Sequence, residues 1–285
     1  MANLKDLRRR IKSIKSTSQI TKAMQMVAAA KMKKAQDKAQ KGLPYLKQLH
    51  KVLANLNNRV DHSRNPLFLA DNKGSKTGVL VISTNKGLCG SINTNLYKLI
   101  SNYDKNKTVF YTVGRKGKLF VAKTGRQLLA DFEFKENPTI EDANSISKLL
   151  IEAFLGDEVS KIEIVYSHFI NTAVQKPEKQ DLLPLSSLPG ASSDSNTNET
   201  EYEYEPNAND ILAGILPHYL SYTVYALLLE AKASEHSSRM VAMKNATDNA
   251  NDMVKVLKLQ YNKARQALIT NQILEISSAA AAMNK

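Results

Sequence analysis

One cysteine, five histidines and a short glycine-bearing loop are the groups in this sequence that invite a chemical reading. Cys89 lies in Asn85-Lys-Gly-Leu-Cys-Gly90, between an apolar run and a helical pattern. A loop in that place can cradle a phosphate on backbone N–H groups. This one lacks G-x-G-x-x-G and G-x-x-x-x-G-K-[ST], the spacings that bring those groups to a phosphate. Glycine is also required there simply to turn the backbone. A nucleophilic Cys89 would need a base beside it. His50, His62, His168, His218 and His236 form no motif around it, so a buried, inert thiol is the simpler expectation. No two histidines share metal-ligand spacing, and H-E-x-x-H and C-x-x-C do not occur. No catalytic residue, metal or cofactor is therefore expected.

Two polar constellations on helices remain. The first is Ile20-Thr-Lys-Ala-Met-Gln-Met-Val-Ala-Ala-Ala-Lys-Met32, a Met/Ala stripe edged by Lys22 and Lys31. The second is Tyr261-Asn-Lys-Ala-Arg-Gln-Ala-Leu-Ile-Thr-Asn-Gln272, in which the adjacent Arg265 and Gln266 precede a nearly uncharged tail. Spacing alone allows a solvated polar pair as readily as a contact. The tail is more telling. Between residues 269 and 283 the only charge is Glu275, so solvent exposure would bare Ile269, Ile273, Leu274 and Ile276. Enclosure by another protein is expected.

The elements that carry these residues are long helices. Residues 1–41 hold neither Gly nor Pro. Leu4, Leu7, Ile11, Ile14, Ser18, Thr21, Gln25, Ala28, Met32, Ala35 and Ala39 follow alternating steps of three and four. The stripe begins apolar and becomes small and polar, which lets a partner helix approach closely. Gly42 and Pro44 should break or bend the helix before the pattern resumes through Leu46, Leu49, Val52 and Leu56. Residues 218–285 again lack Gly and Pro, with a heptad series at Val254, Leu257, Tyr261, Ala264, Leu268 and then Asn271. As one helix that stretch is roughly 100 Å long. Helices this long need a partner, and each end of the chain supplies one for the other. Between them, residues 78–84, 108–113 and 161–166 predict buried strands. Residues 92–100, a basic stretch after Gly114, and 140–154 predict helices. Strand–helix alternation implies a small Rossmann-like α/β domain with a largely parallel sheet. The expected fold is thus mixed α+β and α/β. Its parts are a shaft helix over 1–57, an α/β domain over 75–185, a Ser/Asn/Glu/Pro-rich linker over 186–209 and a second shaft helix over 210–285.

Charge narrows the partners. The net +13 is concentrated in residues 1–57, with 14 Lys/Arg against 2 Asp/Glu. An acidic partner is implied: nucleic acid, lipid headgroups or acidic protein loops. One cysteine excludes an internal disulfide framework and suggests a reducing compartment. No apolar run is expected to reach the roughly 18 residues of a membrane span. The basic, acid-poor N-terminus has the composition of an organelle transit peptide, but its helical pattern continues too far for one.

Both helical constellations, together with Glu235-His-Ser-Ser-Arg-Met-Val-Ala-Met-Lys-Asn-Ala-Thr-Asp-Asn249, Ser83-Thr-Asn-Lys-Gly-Leu-Cys-Gly-Ser-Ile-Asn93 and Phe169-Ile-Asn-Thr172, closely resemble the gamma subunit of F-type ATP synthases over essentially the whole chain. The resemblance is to a bacterial form, without the Cys-bearing insert of thylakoid members. It implies an antiparallel coiled coil of the terminal helices, one copy per complex. The tip would stand inside a hexamer of alternating alpha and beta subunits, and the foot against the epsilon subunit and the ring of c subunits. Proton flow turns ring and shaft, and the shaft drives beta through its conformations, so ATP chemistry belongs to beta. Matched by motif, Arg265 and Gln266, with Thr270 on the next turn, would meet an acidic loop of the alpha/beta collar. Met24 would face the same region. Tyr204 and Glu205, in a Tyr-Glu-Pro match, would lie near the foot. The implied location is peripheral, on the cytoplasmic face of the bacterial plasma membrane. A basic coiled-coil protein that binds nucleic acid, and a small nucleotide-binding enzyme, are the competing readings. Neither accounts for the uncharged tail.

Overall fold

A computed structural model describes residues 4–57, 60, 65–68, 76–185, 205 and 207–283. The elements are α1 (Leu4–Asn57), β1 (Thr77–Ile82), α2 (Ile92–Ser101), β2 (Thr108–Val113), α3 (Arg115–Lys123), β3 (Gln127–Phe132), α4 (Ile140–Leu155), β4 (Lys161–Phe169), β5 (Gln175–Leu183) and α5 (Ala208–Met283). The expected linker at 186–209 lies outside the described residues except for Glu205 and 207–209. The chain forms two compact units, residues 1–28 with 240–285, and residues 29–239.

The first unit is a helix pair. Ser18 Oγ donates to Asn251 Oδ1 at 2.7 Å, and the Thr21 and Thr247 hydroxyls meet at 2.7 Å. These bonds make the pairing antiparallel. They also explain the small polar residues in the stripe: a hydroxyl buried between helices needs a partner, and here each finds one across the seam. Every member of the three-four series in this unit, from Leu4 to Ala28, is buried or half-buried. On α5 the series Val254, Leu257, Tyr261 and Ala264 is half-buried, and Leu268 is exposed.

The second unit is built on a five-stranded sheet of order β3-β2-β1-β4-β5. β1 pairs in parallel with β2 and β4, and β2 with β3, while β5 is an antiparallel edge. The predicted strands are the buried central ones. β3 and β5 had no sequence expectation. β3 is half-exposed at alternate positions, and β5 reads Gln-Lys-Pro-Glu-Lys-Gln-Asp before its two leucines. Such an edge tolerates Pro177 because it needs N–H donors on one side only. β5 is fastened to β4 partly by charge: buried Glu163 accepts from Lys161 at 2.8 Å and from Lys179 at 3.3 Å. One sheet face packs Val79, Val81 and Phe110 against Leu96 and Ile100 of α2 and Val121 of α3. The other packs Leu80, Ile82, Tyr111 and Ile164 against α4, against Leu49, Leu53 and Leu56 of α1, and against Leu212, Leu216, Leu220 and Val224 of α5. α4 begins with a capping box, Thr139 and Asp142 each serving the other's backbone N–H.

Two expectations are corrected. Of the break or bend expected at Gly42 and Pro44 there is no break: α1 continues to Asn57 with Pro44 inside it, matching the expected shaft helix over 1–57. The missing side chain at Gly42 admits Tyr222, whose hydroxyl donates to the Gly42 carbonyl at 3.0 Å and would lie 2.3 Å from a Cβ there. Packing of this kind outweighs the propensity cost of both residues. α5 runs from Ala208, two residues before the expected start at 210 and through Gly214 and Pro217, because Leu212 and Leu216 are core residues that these turns bury. α5 also contains a stretch apolar and long enough to cross a membrane, against the expectation from sequence; 39% of that stretch is buried inside the protein.

Glycine matters most at Gly114, after β2, with φ +100. A Cβ there would stand 2.3 Å from the Ser83 carbonyl oxygen. Gly114→Ala should therefore lower the unfolding free energy by about 2 kcal/mol or more. Gly87→Ala, where nothing lies within 4 Å, should change it by no more than about 0.5 kcal/mol. Urea unfolding of the two variants checks the contrast.

Candidate functional site

In a doubly wound sheet a ligand sits outside the carboxyl ends of the strands, where the strand order reverses. Here that is the crevice between the loops after β1 and β4. The structure fills it with α5. Ser238 Oγ donates to the Cys89 carbonyl at 2.6 Å, and Arg239 Nη2 approaches the Gly87 carbonyl at 3.5 Å. On the β4 side, Ser237 Oγ donates to the Thr172 carbonyl at 2.8 Å, and the Phe169 N–H donates to Glu230 Oε1 at 3.0 Å. Glu230 also pairs with His168. The loop that could have held a phosphate instead has its carbonyls turned to a helix. Cys89 is 2% exposed, and burial pushes its thiol pKa up, the opposite of an activated nucleophile. Among the described residues no His/Cys/Asp/Glu cluster suits a metal.

The helix segment in that seat is buried on every side from residue 231 to 237, although it contains Lys232, Glu235 and His236. Charges at this depth persist only when paired. Glu235 accepts from Lys232 at 3.1 Å and from Arg239 at 2.8 Å. Lys232 Nζ also sits 3.8 Å from the centre of the Phe134 ring, a cation–π contact. His236 Nε2 is 3.2 Å from Glu136 Oε1, and its Nδ1 faces Arg239 Nη1 at 3.3 Å. The neutral tautomer with the proton on Nε2 satisfies both contacts, donating to Glu136 and accepting from Arg239. Burial favours that neutral form and lowers the His236 pKa, with Arg239 and Lys232 adding to the effect against Glu235 and Glu136. Glu136 is buried enough to be penalised as an anion, yet its Lys31 hydrogen bond, with His236 and Lys232 nearby, holds its pKa below the usual value. The sequence singled out residues 235–249 only as a motif. The signal for a buried network was present: charged residues interrupting an Ala/Ser run that carries no Gly or Pro.

The site residues read from sequence are placed as follows. Arg265, Gln266 and Thr270 are exposed on α5, and Gln266 and Thr270, four apart, share a face. Met24 is half-buried beside the α1 stripe. The register set by Ser18–Asn251 and Thr21–Thr247 puts Met24 opposite residues 244–245 and Leu4 opposite residue 265. Met24 and Arg265 are thus not brought together; about 30 Å of helix separates them. Glu205 is exposed, and Tyr204 lies outside the described residues. Beyond Ala264 no described residue of α1 faces α5. There Leu268 is 46%, Ile273 60% and Ile276 70% exposed.

A buried neutral histidine has a signed consequence for stability. Unfolded, His236 takes a proton near pH 6.5; folded, it resists until lower pH. The unfolded state then binds more protons, so stability falls as pH drops through and below about 6.5. His50, its pKa also lowered by burial, adds in the same direction. Urea midpoints measured between about pH 7.5 and 5.5 should fall toward acid, and His236→Gln should flatten the fall.

Comparison with known proteins agrees with this architecture. A family model described as ATP synthase matches residues 3–283. The ATP synthase gamma chain of Akkermansia muciniphila is 41% identical over 291 residues, covering 99% of this chain and 100% of that one. That of Methylacidiphilum infernorum is 42% identical over 293 residues, covering 99% and 100%. In fold, the chain is similar to a chain of the rotor of Euglena gracilis mitochondrial ATP synthase, with TM-score 0.67 and 19% identity over 93% of this chain and 98% of that. It is likewise similar to a chain of the central stalk and c-ring of the Tetrahymena thermophila enzyme, with TM-score 0.60 and 24% identity over 80% and 99%. With 41% and 42% identity to two gamma chains along 99% of its length, the paired terminal helices and the small sheet whose crevice seats one of them, this chain belongs to the ATP synthase gamma-chain family.

Proposed function

We propose that this chain is the central rotor shaft of an F-type ATP synthase, a non-catalytic subunit turned by a c-ring and turning inside an alpha/beta hexamer. Family membership supports the reading, and one structural observation carries it. α5 extends past the start of its partner helix as a bare tail with Leu268, Ile269, Ile273, Leu274 and Ile276 all exposed. A helix without tertiary cover is marginal, and one with this much apolar surface needs a sleeve. An apolar tail with a single charge, Glu275, also suits a bearing, because dispersion contacts have little angular preference.

In this reading Arg265, Gln266 and Thr270 stand at the mouth of the sleeve and meet an acidic loop of the collar. Arginine suits that role because its planar fork bonds a carboxylate directionally. Met24 meets a lower level of the same hexamer. The lysines and arginines of α1 other than Lys31 face acidic segments of beta as they pass. Tyr204 and Glu205 lie near epsilon and the c-ring. The chain, part of the F1 portion of a membrane-associated enzyme, works at the cytoplasmic face of the bacterial plasma membrane. ATP is made and hydrolysed on beta. Torque requires that these contacts differ between states of beta; equal affinity in every state would do no work.

Mixing the purified chain with alpha and beta subunits should yield a particle with one copy of it. No such particle would end the proposal. Retention on DNA with a steep loss in salt, in place of assembly, would favour the nucleic-acid reading. In the assembled particle, Arg265→Ala should leave assembly intact and lower rotation-coupled ATPase by about tenfold, the scale of one charge-assisted hydrogen bond. Unchanged turnover would remove Arg265 from the grip.

A further inference from the structure

A shaft fixed to its foot by one helix alone could still twist about that helix, so what fixes the second helix matters. α5 is held in the crevice by Ser237, Ser238 and Glu230. α1 has no such seat. Its lower part contributes Leu49, Leu53 and Leu56 to the core, and apolar packing of this kind is non-directional. Among the described residues one ion pair joins α1 to the loops of the sheet: Lys31 Nζ to Glu136 Oε1, at 2.8 Å. The same Glu136 oxygen lies 3.2 Å from His236 of α5. A single carboxylate on the β3–α4 loop therefore touches both shaft helices.

The loop around it is braced. Phe134, two residues before Glu136, is 2% exposed and lies beneath Lys232 of α5. Its carbonyl accepts from Asn85 Nδ2 at 2.6 Å, and Asn85 Oδ1 accepts from the Arg115 N–H at 3.1 Å, tying the loop to those after β1 and β2. On the other side of Glu136, the Thr139–Asp142 capping box fixes the entry to α4. The loop is thus anchored at both ends, with its carboxylate aimed into the angle between α1 and α5.

We propose that the loop carrying Phe134 and Glu136 is a torsional key, with Glu136 as the positioning residue that stops α1, beside the seated α5, from turning about the sheet. The proposal rests on the rotor reading. Stability is not the role of the pair. Lys31 and Glu136 have side chains 44% and 49% exposed, and an ion pair so wetted adds little to unfolding free energy. Direction is what the pair supplies. A hydrogen-bonded carboxylate resists lateral displacement of two cross-linked helices where Leu and Ala contacts slide.

The test uses the assembled alpha/beta complex, with a probe on the α/β domain and the hexamer immobilised. At each ATP-waiting angle the angular spread of the probe reports torsional stiffness. Glu136→Gln should broaden the variance of that spread by roughly twofold, as expected when one of two helix anchors is lost. Assembly and unfolding temperature should be unchanged. Lys31→Gln, which breaks the same bond from the shaft side, should do the same, and the double variant should add little more. Unchanged spread in both single variants overturns the proposal. So does a broadening accompanied by a lower unfolding temperature, which would mark general loosening. Failure of the wild-type chain to assemble would instead overturn the rotor reading, and that is seen before any variant is made.

Discussion

Neither terminal helix can stand alone, and most of the structure follows from that. Isolated helices gain too little per residue to hold a long rod against water, so each must hide a stripe on something. In residues 4–28 and 240–264 each hides it on the other. The seam is narrow because its central members are Ser18, Thr21, Ala28, Thr247 and Ala250 rather than leucines. Narrowness brings hydroxyls into reach across the gap, and the resulting bonds, Ser18–Asn251 and Thr21–Thr247, give the pair a fixed register that apolar contacts alone would not specify. The register in turn determines where cover runs out, at Ala264. Past that point the tip is bare among the described residues.

The sheet serves the helices in the same way. Its topology is one that elsewhere offers a crevice to a nucleotide, and here the crevice receives α5. Filling it required burying Lys232, Glu235 and His236, an expensive choice compared with leucines. Buried ion pairs are poor stabilisers but strong specifiers of position when every member is satisfied, and here each of the three has a partner. A helix that must keep one rotational setting under load has reason to be held by directional bonds.

The helices were legible in the sequence because a three-four repeat sustained from Leu4 to Ala39 leaves no other explanation, and every member of it is buried or half-buried. The central strands were legible because parallel strands covered on both faces read as unbroken apolar runs. β3 and β5 were not, because an edge half in water reads like a loop. Gly42 and Pro44 misled because propensity is local while the packing of Tyr222 on Gly42 is not. The proposed collar contacts Arg265, Gln266 and Thr270 came from resemblance alone; an exposed Arg–Gln pair on a helix has no intrinsic mark of function. Glu136 and Lys31, 105 residues apart, could not be paired from sequence, since nothing local in either segment refers to the other.

Rotation itself tests the central claim most directly. The alpha/beta hexamer, assembled with this chain, is fixed to a surface, a bead is attached to the α/β domain, and ATP is added. Unidirectional stepping of the bead at a rate set by ATP concentration is the predicted result. A particle that assembles and hydrolyses ATP while the bead only fluctuates about one angle would contradict it.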